Sequence, residues 1–344
     1  MPRAVPAVVF VSLLIVLLAV TAWHLSFVLL LAFLGVLMAV LLRHLALILA
    51  RHTPLSASAG VLVVALALAV LIVLGVMFLG PRLVGQLQQV ADMVPRALAQ
   101  FEALLRQYSW AQSLLERVPS DEERPSWNVL GMIGGTVSSV IGVLANVVIV
   151  VTVAIFLAMD PQLYRRGLLR LIPLDKRPRA AEILDALGQG LWRWLLGQGI
   201  AMAAVAVLSG VGLWLIGVPL ALALGLIAGL LDFIPYVGPW LGAAPAVLLA
   251  LAEGPAEAVW TAILFLVIQQ VEGNVLMPVI QKRASALPPV LTILAVVAFG
   301  VLFGFMGVFL ATPLLLVLII LVRMIYVEDV LGDRSDRLDP GKRG

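Results

Sequence analysis

Two acidic residues lie in apolar stretches of the sequence, where a charge is costly. Asp232 begins the string DFIPYVGP between two short apolar runs, and Glu272 follows Gln269 and Gln270 at the end of a longer run, just before Asn274. A charged side chain at the centre of a bilayer costs about 2.5–3.5 kcal/mol on the lenient insertion scale, so residues of this kind are candidates for function. Carboxylates and amides can bind a proton, a small cation or a hydrogen-bonding solute. We therefore expect Asp232 and Glu272 to form a substrate- or ion-binding site.

Both carboxylates also have structural explanations. Asp232 could cap the helix that follows it or pair with a basic residue near the membrane interface. Glu272 could be neutralised by Arg283, which lies in the next polar stretch. The sequence leaves these alternatives open.

The residues around Asp232 predict an interrupted helix. Pro235 and Pro239 lack amide donors, whereas Gly238 and Gly242 allow the backbone to turn and another segment to approach closely. Irregular backbone at membrane depth is tolerated only inside protein or beside a watery cavity. Broken half-helices near the middle of the membrane are a common way for secondary transporters to build a solute or ion site.

A second interrupted region lies in the apolar run 286–322. A straight helix of this length would measure about 55 Å, so we expect it to break near Gly304 and Gly307. The string FGFMGVFLATP loosely echoes GPWLGAAP at 238–245, which indicates a degenerate repeat. Pro313, which ends FGFMGVFLATP and starts an apolar run, is a further predicted break position.

The composition places these residues in a membrane protein. The chain is 63% hydrophobic and only 12% charged, too apolar to cover a water-soluble surface. Runs long enough to span are found at 5–22, 26–42, 59–79, 131–157, 195–216 and, nearly, 256–271, whereas 219–231 and 239–252 are too short to cross alone. We predict an all-α polytopic protein of about eight transmembrane helices, with broken or re-entrant half-helices in the C-terminal half.

Basic residues predict the orientation, because cytoplasmic loops are rich in Lys and Arg. The expected regions are a three-span part at 1–79, an extracytoplasmic amphipathic insert at 80–130, a transport region at 131–322 with a cytoplasmic segment at 160–194, and a cytoplasmic tail at 323–344. Both termini are then cytoplasmic. Lys282 and Arg283 favour a re-entrant hairpin at 219–252, and a single kinked span remains the alternative.

The polar insert carries an apolar stripe at heptad spacing, interrupted by Pro95. One interpretation is a homo-oligomer formed outside the membrane, and the other is a helix lying on its own bundle or on lipid headgroups. The predicted oligomer face consists of Leu83, Leu87, Val90, Val94, Phe101, Leu104 and Tyr108.

Other chemistries find little support in the sequence. The chain has no HExxH, no G-x-S-x-G, no Walker A lysine and no Cys, and His24, His44 and His52 lie in loops or at span ends. Basic residues occur in a few loops without interleaved aromatic residues, which fits contact with membrane lipid rather than nucleic acid. We expect no enzyme activity, no cofactor and no metal site.

Three strings, LDFIPYVGPWLGAAPAVLLAL, QQVEGNVLMPVI and LPPVLTILAVVAFGVLFGFMGVFLATPLLLVL, occur in this order. Together they resemble the motifs of the autoinducer-2 exporter family of bacterial membrane permeases. The resemblance implies an eight-span inner-membrane protein that is oligomeric, with five subunits. It also implies export of autoinducer-2 or exchange of sodium or lithium for protons. The family pattern adds Gln269 and Asn274 to the expected binding site, and it adds Pro278 and Pro289 to the hinge or broken-helix positions. Lys282 and Pro288 depart from the family pattern of Gly and His, so no family role for that His is carried over.

Three functional hypotheses follow. The first is a secondary transporter that exports a small polar solute, with autoinducer-2 as the family's candidate. The second is a cation/proton exchanger in which Asp232 binds a proton and a sodium ion alternately. The third is a non-transporting oligomeric scaffold that binds a partner protein or lipid through its heptad face.

Overall fold

The computed structural model describes residues 24–74, 137–278 and 287–333, together with Leu17, Val20, Thr21 and Met77. These residues are almost entirely helical and contain no strand, which confirms the predicted all-α polytopic membrane fold. The helices are α1 (Ser26–His52), α2 (Ala57–Leu74), α3 (Val137–Met159), α4 (Pro161–Arg170), α5 (Arg177–Ile216), α6 (Ala221–Leu231), α7 (Gly238–Glu253), α8 (Pro255–Val271) and α9 (Pro289–Leu321).

Five helices of the described chain are long and apolar enough to cross a membrane. They are α1, α2, α5, α8 with the π-helical turn that follows it, and α9 with its C-terminal extension. A sixth span results if residues Ala145–Met159 are counted with α4, which is bent from them by 86°. The insert at 80–130 with its predicted oligomer face, Lys282 and Arg283 all lie outside the described residues.

The segment before the fifth predicted span differs from expectation. The sequence suggests a cytoplasmic segment at 160–194 and a separate span at 195–216, but α5 runs from the end of the first through the whole of the second as one helix of 40 residues. Pro178 is tolerated because it lies in the first turn, where a backbone N–H has no helical partner. The polar half and the apolar half of α5 therefore belong to one uninterrupted helix.

The chain reverses between α6 and α7, at residues 232–237. Tyr236 in this turn has a φ of 66°, and a Cβ at Gly238 would meet the carbonyl oxygen of Leu231. A Cβ at Gly242 would lie 2.9 Å from the Cα of Ala228, so the two helices remain in close contact beyond the turn. These contacts make α6 and α7 a helical hairpin rather than one kinked helix.

A second reversal interrupts α9. Gly304 has φ 63° and ψ −145°, which places the helix break within the predicted region. A Cβ at Gly307 would meet the carbonyl oxygen of Phe299, which would lie about 12 Å away along a straight helix. The two arms of α9 therefore fold back on each other. In both reversals, a glycine permits contact with a main-chain carbonyl seven or eight residues earlier.

The described chain forms two compact units. The first contains the described residues up to 65, residues 144–192 and residues 287–333; the second contains the described parts of 66–143 and residues 193–278. In the first unit, Arg179 forms ion pairs with Glu182, Glu328 and Asp329 at 2.8–3.0 Å and joins the start of α5 to the end of the chain's last described helix. The second unit has a continuous apolar core between the apolar half of α5 and helices α6, α7 and α8.

Candidate functional site

Asp232 lies at the C-terminal end of α6, where the first reversal begins. Only 2% of its surface is exposed. Its main-chain carbonyl accepts a hydrogen bond of 2.8 Å from Nε2 of Gln198 on α5. Its Oδ2 atom is buried and has no hydrogen-bond partner among the described residues. Asp232 thus has its backbone fixed and one carboxylate oxygen available for a ligand.

Glu272 lies at the corresponding end of α8, in the π-helical turn Glu272–Leu276. It is 8% exposed, and Nε2 of Gln269 donates a hydrogen bond of 3.2 Å to its Oε2. Glu272 and Asp232 are close enough to interact electrostatically. The structure therefore brings Asp232, Glu272 and Gln269 together, although 40 residues of sequence separate the two carboxylates.

Short connections between antiparallel helices explain this arrangement. The chain turns at Gly217, whose φ is 88°, at residues 232–237, and again at Gly254 between α7 and α8. Three reversals return the end of α8 to the end of the unit where the apolar half of α5 begins. Glycine at 210, 225 and 229 allows α5 and α6 to approach closely, because a Cβ at Gly225 would lie 2.6 Å from backbone atoms of Gly210.

The site lies at one end of this unit rather than halfway along its helices. Gln198, which contacts Asp232, is only one turn after Trp194, and the Trp194 ring packs edge-on against Phe233 at 5.6 Å. Trp is typical of the boundary between membrane and water. Asp232 is level with the start of the apolar half of α5. This position does not support the expectation that the half-helices meet near the middle of the membrane.

One of the structural alternatives for Asp232 is absent from the structure. Helix α7 begins without a side-chain cap, so Asp232 does not cap it. Within the described part of the chain, neither Asp232 nor Glu272 takes part in an ion pair, and no group of three or more His, Asp or Glu side chains is placed to hold a metal ion. The alternative that Arg283 neutralises Glu272 stays a prediction, because Arg283 lies outside the described residues.

The remaining predicted residues are placed elsewhere. Asn274 is exposed, and its Nδ2 donates to the main-chain carbonyl and to Oε1 of Gln270, at 3.1 and 2.7 Å, rather than to either carboxylate. Pro278 is exposed after the π-helical turn. Pro235 lies within the turn that begins at Asp232, whereas Gly238, Pro239 and Gly242 lie in the first part of α7. The other predicted break positions belong to α9 in the first unit: Pro289, Gly304, Gly307 and Pro313.

Gln198 is the site residue that the sequence analysis missed. It is 6% exposed, and its amide connects α5 to the reversal that carries Asp232. The sequence feature that could have identified it is an amide side chain within an apolar span, between Gly197 and Gly199.

Comparisons with known proteins agree with this architecture. The family model described as AI-2E family transporter matches residues 10–326. YrrI of Bacillus subtilis (strain 168), named for an inferred transport role, is 29% identical over 241 residues, which cover 68% of each chain. YueF of the same organism, named likewise, is 27% identical over 248 residues, covering 68% of this chain and 67% of its own. PerM of Escherichia coli (strain K12), named for an inferred permease role, is 29% identical over 184 residues and 52% of each chain.

Proposed function

The chain belongs to the AI-2E family of transporters, and from this premise we propose that it is a secondary transporter that exports a small polar solute across the bacterial cytoplasmic membrane. The solute or its coupling ion binds between Asp232 and Glu272. The observation that carries the proposal is the buried Oδ2 atom of Asp232, which has no hydrogen-bond partner among the described residues and lies near a second buried carboxylate.

The charges of this pair explain why a ligand would bind there. An ionised carboxylate that is removed from water loses solvation free energy unless it is paired. Asp232 and Glu272 interact with each other and have no ion-pair partner in the described chain, so a bound proton or small cation would stabilise them. Gln269 supplies an amide that already contacts Glu272 and can reorient when the ligand arrives.

The reversal at 232–237 provides the moving part. Because Gln198 holds the carbonyl of Asp232, the turn moves together with α5, whereas Gly238 and Gly242 let α7 shift against α6. Binding at Asp232 would then favour one of two hairpin packings, which is the requirement for alternating access.

Autoinducer-2 is the candidate solute, and inverted membrane vesicles test it. An exporter in such vesicles takes autoinducer-2 into the lumen, so wild-type vesicles should accumulate it above vesicles that lack the protein. Glu272→Gln should lower the initial rate at least about tenfold, the effect of losing roughly 1.4 kcal/mol of interaction. Wild-type vesicles that accumulate no more than the empty control would exclude this solute.

Cation/proton exchange is the second candidate, and the paired carboxylates favour it because such a pair can hold either a proton or a sodium ion. In inverted vesicles with an acidified lumen, addition of sodium chloride should release the pH gradient. A gradient that persists after sodium and lithium addition would rule out this exchange.

We also propose that the protein is a homo-oligomer in the membrane and that both of its termini lie in the cytoplasm. The support is the apolar stripe from Leu83 to Tyr108, whose heptad spacing requires a partner surface. Leu87→Lys or Phe101→Lys should shift cross-linked protein from oligomer to monomer, and unchanged cross-linking in both variants would refute this interface.

A further inference from the structure

Two hydroxyl groups in the apolar core of the second unit have no hydrogen-bond partner within the described parts of the chain. Ser209 on α5 and Thr261 on α8 are both 0% exposed. Their Oγ and Oγ1 atoms find no partner among the described residues, a property that they share with Oδ2 of Asp232 in the same unit. A buried polar atom without a hydrogen bond costs about 1–3 kcal/mol, so each such atom calls for an explanation.

Ser209 belongs to the face of α5 that is turned to the core. Val205 and Leu213, four residues before and after it, are 4% and 0% exposed and both belong to the apolar core. Gln198, at the start of the apolar half of the same helix, contacts Asp232. Eleven residues separate Gln198 from Ser209, which corresponds to about 16 Å along the helix.

Thr261 occupies the equivalent position on α8. Phe265, Ile268 and Glu272 follow it at steps of four, three and four residues, and all are buried. Thr261 is again eleven residues, or about 16 Å, from the site residue on its own helix, Glu272. Because α8 runs back toward Asp232, both hydroxyls are displaced from the carboxylates in the same direction.

The two helices are neighbours at this level. A Cβ at Gly212 would collide with the side chain of Leu264, so α5 and α8 touch within about one turn of each hydroxyl. Because the two helices are antiparallel, this contact lies between the levels of Ser209 and Thr261. The two hydroxyls thus lie in the same part of the core, between the carboxylates and the opposite end of the helices.

Local hydrogen bonding does not account for these hydroxyls. Buried Ser and Thr in helices commonly donate to the carbonyl four residues earlier. Thr292 on α9 does this, with 3.2 Å to the carbonyl oxygen of Pro288. Ser209 and Thr261 do not, although their helices are regular at these positions.

We propose that Ser209 and Thr261 line a hydrated path that continues the Asp232–Glu272 site through the core of the second unit. The hydroxyls hydrogen-bond water and the hydroxyl or carbonyl groups of a small uncharged polar solute. This inference rests on the proposed function for what travels along the path, but the hydration itself can be tested without any transport.

The direct test is the reaction of introduced cysteines with a water-soluble reagent, since the chain itself contains no Cys. Ser209→Cys and Thr261→Cys are treated in membranes with a charged, membrane-impermeant methanethiosulfonate reagent. Ala311→Cys is the matched control, because Ala311 is also 0% exposed but lies in α9. Both hydroxyl positions should react at least about tenfold faster than the control, because a dry core excludes a charged reagent. Rates equal to that of Ala311→Cys would overturn the proposal.

A measurement on the unmodified chain covers the case in which a cysteine variant fails to fold. Hydroxyl-radical footprinting oxidises side chains beside water, and Leu213, one turn from Ser209, can be compared with Leu310, which is equally buried at 0%. We expect faster oxidation of Leu213, and equal rates would contradict the path. Access at both hydroxyls without any flux in vesicles would count against the proposed function alone, whereas flux without access would count against the path alone.

Discussion

The side-chain amide of Gln198 donates a hydrogen bond of 2.8 Å to the main-chain carbonyl of Asp232, across 34 residues of sequence. This bond joins the start of the apolar half of α5 to the reversal between α6 and α7. It fixes the backbone of Asp232 while the Oδ2 atom of its side chain keeps no partner in the described chain. Gln198 therefore positions the backbone of Asp232 without occupying the carboxylate oxygen that could bind a ligand.

Gln198→Leu tests the importance of this bond for the site. Leucine fills a similar volume but leaves the carbonyl of Asp232 without its donor, so we expect a loss of about 1–3 kcal/mol of stability. The fall in solute or ion flux in vesicles should be larger than the loss of folded protein explains, as measured by the thermal midpoint of the purified protein. The exposed Gln270, changed to Leu, is the control and should have little effect on flux; equal effects of both substitutions would contradict a role for Gln198.

Gly238→Ala tests the hairpin turn. The added Cβ would meet the main-chain carbonyl of Leu231, which cannot move without opening the reversal. We expect loss of flux and a destabilisation of about 1–3 kcal/mol, comparable with overpacking elsewhere. Gly188→Ala is the matched control, since no atom lies within 4 Å of its added Cβ. That variant should be neutral or slightly stabilised, as is usual for Gly to Ala inside a helix. Wild-type flux in Gly238→Ala would show that the close approach is unnecessary.

Arg179→Ala tests the ion-pair cluster of the first unit. The substitution leaves Glu328, which is 5% exposed, without its 2.9 Å partner, and removes the hydrogen bond from Arg179 to the carbonyl of Met324. We expect the segment after α9 to become more sensitive to limited proteolysis, with a local loss of about 1–3 kcal/mol.

Arg166→Ala is the control for this cluster, because Arg166 is exposed and its Nε donates to the carbonyl of Gln162 in its own helix. Its cleavage pattern should match that of the wild type. Identical proteolysis of the Arg179 and Arg166 variants would mean that the cluster does not hold this segment.

The sequence predicted those features that depend on neighbouring residues. The isolation of Asp232 and Glu272 among apolar residues, and the Gly and Pro positions at the two reversals, were visible without coordinates. Both reversals depend on local chemistry, as Gly304 shows with its φ of 63°.

Features that depend on distant contacts were not predicted. The pairing of Gln198 with Asp232 requires the helix reversal at Gly217, and no local pattern indicates it. The π-helical turn at Glu272 changes the direction of successive side chains, so Glu272 is buried whereas Asn274 is exposed and bonds to Gln270. Spacing along an α-helix could not reveal this difference. The continuity of α5 was missed because its change from polar to apolar residues suggested a boundary.

The comparison of Asp232→Asn with wild type in inverted vesicles tests the central claim most directly. Asparagine keeps the size of the side chain but removes its charge, and Glu253→Gln makes the same change at an exposed residue at the far end of α7. On the same vesicles, autoinducer-2 uptake and sodium-driven release of the pH gradient are measured. The account predicts at least one flux in wild type, its loss in Asp232→Asn and its retention in Glu253→Gln. Neither flux in wild type, or a wild-type rate in folded Asp232→Asn protein, would contradict it.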